Sequence, residues 1–380
     1  MNIRTTFLCG LWLVAISTLA HAQTSYTPEP ETSNQTNWYD AAKWDVEGKG
    51  WRDTITHFSR LPERAKNVVS PTVWELSADS TGLVVRFKTD ASTIRVRHKV
   101  TGGRELSKAN DLTMPHMTTV ASSGVDLYAK DVDGRWRWAA SSKPHTKEYD
   151  QAILDRTTKA LREYMLYLPL YNHTESLAIG VPKDSYFEAL PPCNKKPIVH
   201  YGTSIPQGCS ATRAGMTYPA IFGRRLDYPV INFSFSGSAR MEAPMADLVG
   251  EIDAEIYVLD CIPNMTLELV NNNAEIFIRK LRQLRPDTPI VLIEDRSRCN
   301  TWLLPEWENT HRARRAALRG IYEKLVNEGM SRLVYIEGDK LFGDDDEGTV
   351  DGSHPSDLGM FRAANVIEPV LREILESIKP

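Results

Sequence analysis

The strongest constraint in this 380-residue chain is a change of hydrophobic period across Pro191-Pro192-Cys193-Asn194-Lys195-Lys196-Pro197. Upstream, from about Trp38 to Leu190, apolar residues alternate with polar ones. Leu83-Val84-Val85-Arg86-Phe87-Lys88 and Ile94-Arg95-Val96-Arg97-His98-Lys99-Val100 show the pattern. Trp136-Arg137-Trp138 and Tyr164-Met165-Leu166-Tyr167-Leu168 continue it, and turn signals at Thr101-Gly102-Gly103 and Asp133-Gly134 separate the runs. A period of two with such punctuation predicts half-buried antiparallel strands, here a β-sandwich of jelly-roll type over 38–190.

Downstream, over 196–380, short continuous apolar runs alternate with amphipathic segments. Strands are expected at Ile198–Tyr201, Val230–Phe233, Ile256–Leu259, Ile290–Ile293 and Leu333–Ile336. Helices are expected near Pro219–Leu226, Pro244–Glu251, Ala274–Leu284, Glu306–Glu328 and Asp357–Ile378, with Ile321, Tyr322, Leu325 and Val326 on one apolar face. Strands without polar alternation must be buried on both sides. The expectation is therefore an α/β domain with a five-stranded parallel sheet between two helical layers.

The N-terminus reads as a targeting segment. Arg4 precedes an apolar run from Phe7 to Leu19, and Ala20-His21-Ala22 offers a small-x-small cleavage site. Residues 1–22 are thus expected to be removed after Ala22, which places the protein in the periplasm or outside the cell, without stable membrane insertion. Residues 23–37, rich in Thr, Ser and Asn, read as a flexible lead-in. A formal net charge of −4 lacks the basic excess that phosphate-backbone binding requires, so no nucleic-acid partner is expected. Cys193, Cys209, Cys261 and Cys299 match no zinc-ligand spacing, and export makes disulfides chemically accessible. Cys209 and Cys261, both a few residues past strand ends, are the first pair to test.

Ligands of open parallel sheets bind beyond the carboxyl ends of the strands. Gly202-Thr203-Ser204-Ile205 follows the first strand, and Ser204 fits a nucleophile or, equally, a helix cap or phosphate-binding turn. Phe235-Ser236-Gly237-Ser238-Ala239 follows the second, where glycine permits close backbone approach or an ordinary βα turn. After the third, Asn264 offers a carboxamide donor, although Asn is also a common cap. Near the C-terminus, Asp351 and His354 stand three residues apart in a Gly/Pro turn, where a carboxylate can fix the tautomer of the imidazole. Together the four segments supply nucleophile, base, orienting acid and oxyanion donors, the set that acyl transfer needs.

Segment 196–380 resembles the SGNH hydrolases, also called GDSL-type esterases, whose fold is a flavodoxin-like α/β/α sandwich. The resemblance implies catalytic Ser204, Asp351 and His354, with Ser204, Gly237 and Asn264 forming an oxyanion hole. It implies no metal and no cofactor. Thr203 departs from the Asp usual before the nucleophile, and Pro263-Asn264-Met265 departs from the usual third block. Upstream, Ser123-Gly124-Val125-Asp126-Leu127-Tyr128 resembles the Gly-x-Asp-Leu-Tyr signature of a β-sandwich that precedes one SGNH subfamily, which shares both departures. The implied activity is hydrolysis of short acyl esters, acetyl foremost, on small molecules or glycans. The alternatives are a carbohydrate-binding protein on a vestigial hydrolase fold and a lipid esterase, the latter wanting an apolar mouth that the sequence does not announce.

Other groups read more plainly. Asp126 and Tyr128 read as a turn aspartate and a half-buried strand aromatic. Asp260 reads as a loop cap rather than a tuner of His354. Glu294, Asp295, Arg296 and Arg298 read as a solvated charged loop, and His311-Arg312-Ala313-Arg314-Arg315 as a solvated helix face. The tryptophans near the sandwich, among them Trp38, Trp44, Trp51, Trp136 and Trp138, read as core.

Overall fold

The computed structural model describes residues 27–101 and 112–378. The targeting segment and the Gly102-Gly103 turn lie outside the described residues.

Ten N-terminal strands form two antiparallel sheets. They are β1 (Glu31–Ser33), β2 (Thr36–Asp40), β3 (Val84–Thr89), β4 (Ile94–Thr101), β5 (Asp126–Lys130), β6 (Trp136–Ser141), β7 (Glu148–Leu154), β8 (Arg162–Tyr167), β9 (His173–Pro182) and β10 (Phe187–Ala189). One sheet runs β1-β2-β9-β4-β7 and the other β10-β3-β8-β5-β6. From β7 to β10 the chain changes sheet at every step, as in a jelly roll. The inward residues of both sheets, such as Val96 and Ile179 against Phe87 and Leu166, close one core. From Thr27 onward the lead-in is more ordered than its composition suggests. Asn34 and Gln35 both adopt positive φ, 45° and 64°, and that two-residue turn folds β1 back on β2.

The C-terminal strands β11 (Ile198–Gly202), β12 (Val230–Ser234), β13 (Ile256–Asp260), β14 (Ile290–Ile293) and β15 (Leu333–Ile336) are all parallel, in the order β12-β11-β13-β14-β15. This is the 2-1-3-4-5 order of flavodoxin-like sheets. Helices Ala243–Glu251, Glu275–Leu284 and Pro305–Asn327 cover one face through Met245, Phe277 and Leu318. Helices Tyr218–Leu226 and Asp357–Ser377 cover the other through Phe222, Ala364 and Leu371. Leu325 packs as expected, but Val326 is exposed. No helix among the described residues is long and apolar enough to cross a membrane.

The two halves share buried contacts. Arg60 is fully buried, and its guanidinium donates to the carbonyls of Leu76 (2.6 Å), Asp79 (2.9 Å), Asn232 (3.0 Å) and Ser234 (2.8 Å). The last two belong to β12. Burial lowers its pKa to about 10, opposed by Asp79, so it remains a cation at neutral pH. Arg60→Leu would take this donor from the buried Asn232 and Ser234 carbonyls of β12, each worth about 1–3 kcal/mol when unsatisfied, whereas the Leu76 carbonyl keeps the Asp79 N–H. We expect a loss of about 3–5 kcal/mol, allowing for some water repair, read as a lower urea midpoint. A change under about 1 kcal/mol would count against this clamp.

Candidate active site

The carboxyl ends of β11, β12 and β13 bring the candidate residues together. β11 ends in Gly202, where a Cβ would lie 2.5 Å from Pro206 Cγ and 3.0 Å from the Asp260 carbonyl, so no larger residue fits the turn. Thr203 then caps a four-residue helix, Ser204–Gln207, its side chain accepting from the Ile205 N–H. That is the work a capping Asp would do, so the Thr203 departure keeps the local geometry. Ser204 is the first helical residue, where a backbone N–H has no intrahelical acceptor.

Ser204 Oγ lies 2.9 Å from His354 Nε2, and His354 Nδ1 lies 2.7 Å from Asp351 Oδ2. The carboxylate neighbour requires the Nδ1–H tautomer, leaving Nε2 as the acceptor that faces the serine. Asp351 Oδ1 accepts from the N–H groups of Ser353 (3.0 Å) and His354 (2.8 Å). Partial burial raises the Asp351 pKa, but these N–H groups and the His354 ring outweigh it and hold the carboxyl down at about 2. Asp351 is therefore an anion throughout the physiological range.

Gly237 adopts φ +68°, a conformation glycine reaches without strain, and its N–H has no hydrogen-bond partner among the described residues. Gln207, on the Ser204 helix, accepts from the Ser236 N–H at 2.8 Å and so ties the Gly237 loop to the nucleophile turn. Asn264 Nδ2 makes one long bond, 3.5 Å, to the Phe235 carbonyl of the same loop. The three strand-end loops thus present Ser204, Gly237 and Asn264 side by side.

Sequence reasoning missed His116. Its ring stacks on His354 with centroids 5.4 Å apart, and its Nε2 lies 2.9 Å from Cys209 Sγ. Burial and the His354 ring lower its pKa, so His116 stays neutral and sets no second positive charge against His354. No local pattern in Met114-Pro115-His116-Met117 announces this long-range contact. The ligand atoms of His116, Cys209 and His354 lie within 4.8 Å of one another, close enough to bridge a metal ion. Burial pushes the Cys209 thiol up to about 12, and a bound ion would take His354 from Ser204. A metal here and the Ser204–His354 contact would therefore compete for the same imidazole.

The Gly-x-Asp-Leu-Tyr segment braces the loop that follows the nucleophile helix. Asp126 begins a strand instead of a turn and is fully buried. It accepts from Arg213 (2.9 Å), the Gly215 N–H (2.8 Å) and Trp138 Nε1 (2.9 Å). Tyr128 is buried rather than half-buried; its hydroxyl meets Arg213, and Arg224 lies 3.8 Å over its ring. On the other side, Asp357 accepts from the N–H and hydroxyl of Thr212 at 2.8 and 2.5 Å.

Several plain readings need correction. Asp260 caps no loop: it is fully buried between Tyr218 and Arg296, whose guanidinium reaches both carboxylate oxygens at 2.9 and 3.1 Å. Glu294, Asp295 and Arg296 are buried, as are His311 and Arg314 of the helix read as solvated, because each charge meets a partner. Cys193, Cys209, Cys261 and Cys299 are free thiols. Cys209 and Cys261 belong to cores on opposite faces of the sheet, which prevents their pairing. Trp38 and Trp44 are core, but Trp138 is half exposed. A cavity of about 330 Å³ between Trp51 and Pro229 sits at the amino ends of the strands, away from this chemistry.

Comparison with known proteins agrees with this architecture. The GDSL-like lipase/acylhydrolase family matches residues 195–372, and the GxDLY family, the N-terminus of SGNH-hydrolase-type esterases, matches residues 36–187. A GDSL-like lipase structure from Bacteroides ovatus is 33% identical with a TM-score of 0.84, covering 90% of this chain and 98% of that one. A salicylyl-acyltransferase from a tetracycline biosynthetic pathway is 16% identical (TM-score 0.68, 92% and 94% covered). A family two carbohydrate esterase from Clostridium thermocellum in complex with cellohexaose is 13% identical (TM-score 0.55, 78% and 93% covered). No curated protein matches the chain. The fold is that of an SGNH-type hydrolase. The chain belongs to the GDSL-like lipase/acylhydrolase family, of the SGNH esterase type with a GxDLY N-terminal domain.

Proposed function

We propose that this protein is an exported serine esterase that removes short acyl groups, acetyl foremost, from carbohydrates. The observation that carries the reading is the continuous relay Ser204 Oγ–His354 Nε2, His354 Nδ1–Asp351 Oδ2 at 2.9 and 2.7 Å. His354 takes the hydroxyl proton as Ser204 attacks the ester carbonyl. The N–H groups of Ser204 and Gly237 and the Asn264 carboxamide hold the tetrahedral oxyanion. His354 then protonates the leaving alkoxide, and water, deprotonated by the same imidazole, releases the acyl group from Ser204. Residues 1–22 supply the export signal.

The carbohydrate esterase among the structural relatives supports a glycan substrate, as does the polar wall described below. One observation favours a second reading, a lipid ester. Trp302, Leu303, Leu304 and Val350 are exposed, and the Cys299 N–H bonds the Gly352 carbonyl at 3.0 Å, which sets that apolar turn beside the catalytic loop. Acetate release from acetylated glycans, against fatty-acid release from lipid esters, decides between them. Asn264→Ala should lower turnover of the better substrate by about 10²–10³. Faster release of long-chain acids would overturn the glycan reading.

A further inference from the structure

A second cavity, of about 50 Å³, adjoins the candidate active site and has no part in the ester chemistry. One side is made by Ile205, Pro263 and Ser353, the immediate neighbours of Ser204, Asn264 and His354. The other is made by the loop after β14 and the helix Pro305–Asn327, and it is polar. Asp295 Oδ2 receives His311 Nδ1 at 2.7 Å and an Arg314 nitrogen at 2.8 Å. That leaves His311 Nε2, on a residue only 4% exposed, without a partner among the described residues. Nε of Arg296, Nε of Arg314 and Oδ1 of Asp295 are likewise buried and unpartnered. Native interiors rarely leave such groups unsatisfied, and the two arginine Nε–H groups, donors on residues that line the cavity, mark a place where an acceptor from outside completes the bonding.

The charges point to the nature of that group. Arg296 is neutralised by Asp260, and Arg314 by Asp295. Arg298 lies 3.9 Å over the Trp307 ring and makes no ion pair among the described residues. The wall therefore carries one uncompensated cation. A water needs about 10–15 Å³ by the same measure, so the cavity holds a few waters or one small substituent, not a sugar ring.

We propose that this cavity is a subsite for a carboxylate carried by the substrate, so that the preferred ester is an acylated acidic sugar. An acetyl group has no further polar atom to offer, so the carboxylate belongs to the alcohol part of the ester. This rests on the esterase reading for its place in the reaction, but the binding stands or falls alone.

Calorimetric titration of the full chain with galacturonate and with galactose tests it, because neither sugar can be hydrolysed. Galacturonate should bind at least tenfold more tightly than galactose. Arg298→Gln should remove the difference and Arg298→Lys should keep most of it, with the thermal unfolding of both variants checked to show intact folding. Equal affinity for the two sugars, no measurable binding of galacturonate, or a preference that survives Arg298→Gln overturns the subsite. If galacturonate binds as expected but no acetylated glycan is hydrolysed, the subsite holds and the esterase reading fails.

Discussion

Ser204→Ala is expected to lower kcat on an activated acetate ester by about 10⁶, the loss seen when a serine hydrolase loses its nucleophile. The variant should remain folded. Among the described residues Ser204 Oγ makes its hydrogen bond to His354 Nε2 alone, and removing a small hydroxyl opens little space. The unfolding midpoint should move by less than about 5 °C. A serine-directed phosphonate should label the parent chain at residue 204 and leave the variant unlabelled. Turnover retained within tenfold would show that another group attacks the ester, and the account of this site would have to be rebuilt.

Asp351→Asn is expected to cost about 10⁴ in kcat, through the tautomer of His354. An amide can donate to Nδ1, which moves the proton to Nε2 and removes the acceptor that Ser204 needs. The pH dependence carries a second signature. The Asp351 pKa is depressed in the folded chain, to about 2. Its stabilising contribution is therefore complete above the ordinary carboxylate value near 3.9 and fades only as pH falls toward 2. Any acid-side loss of activity between pH 4 and 7 must then arise from another group, and Asp351→Glu, if active, should leave that limb in place. A parent enzyme whose stability drops sharply between pH 6 and 5 through Asp351 alone would contradict this.

The parallel sheet was readable because its strands are unbroken apolar runs that no surface position tolerates. Ile290–Ile293 and Leu333–Ile336 end where expected, and β11, β12 and β13 each run one residue further, into Gly202, Ser234 and Asp260. The candidate site was readable for a related reason: topology sends every strand-end loop to one edge, so four short segments could be placed together without knowing their side-chain contacts. The β1–β2 hairpin was not readable, because Asn34-Gln35 lacks the glycine that usually marks such a turn. Asp260, Asp295, Arg296, His311 and Arg314 were misplaced for a different reason. A buried ion pair and a solvated one have the same composition, and only the fold decides which charges find each other. His116 comes from a segment with no periodicity, and its contact with His354 spans most of the chain.

Asp126 and Arg60 give the upstream sandwich a claim on the downstream half that ordinary tandem modules lack. One grips the loop behind the nucleophile and the other seals the edge strand of the sheet. Recombination that traded the front half for an unrelated sugar-binding partner would expose both sockets at once. Such a lineage should diversify its substrates by altering loops in place, with the two halves inherited together as one heritable piece.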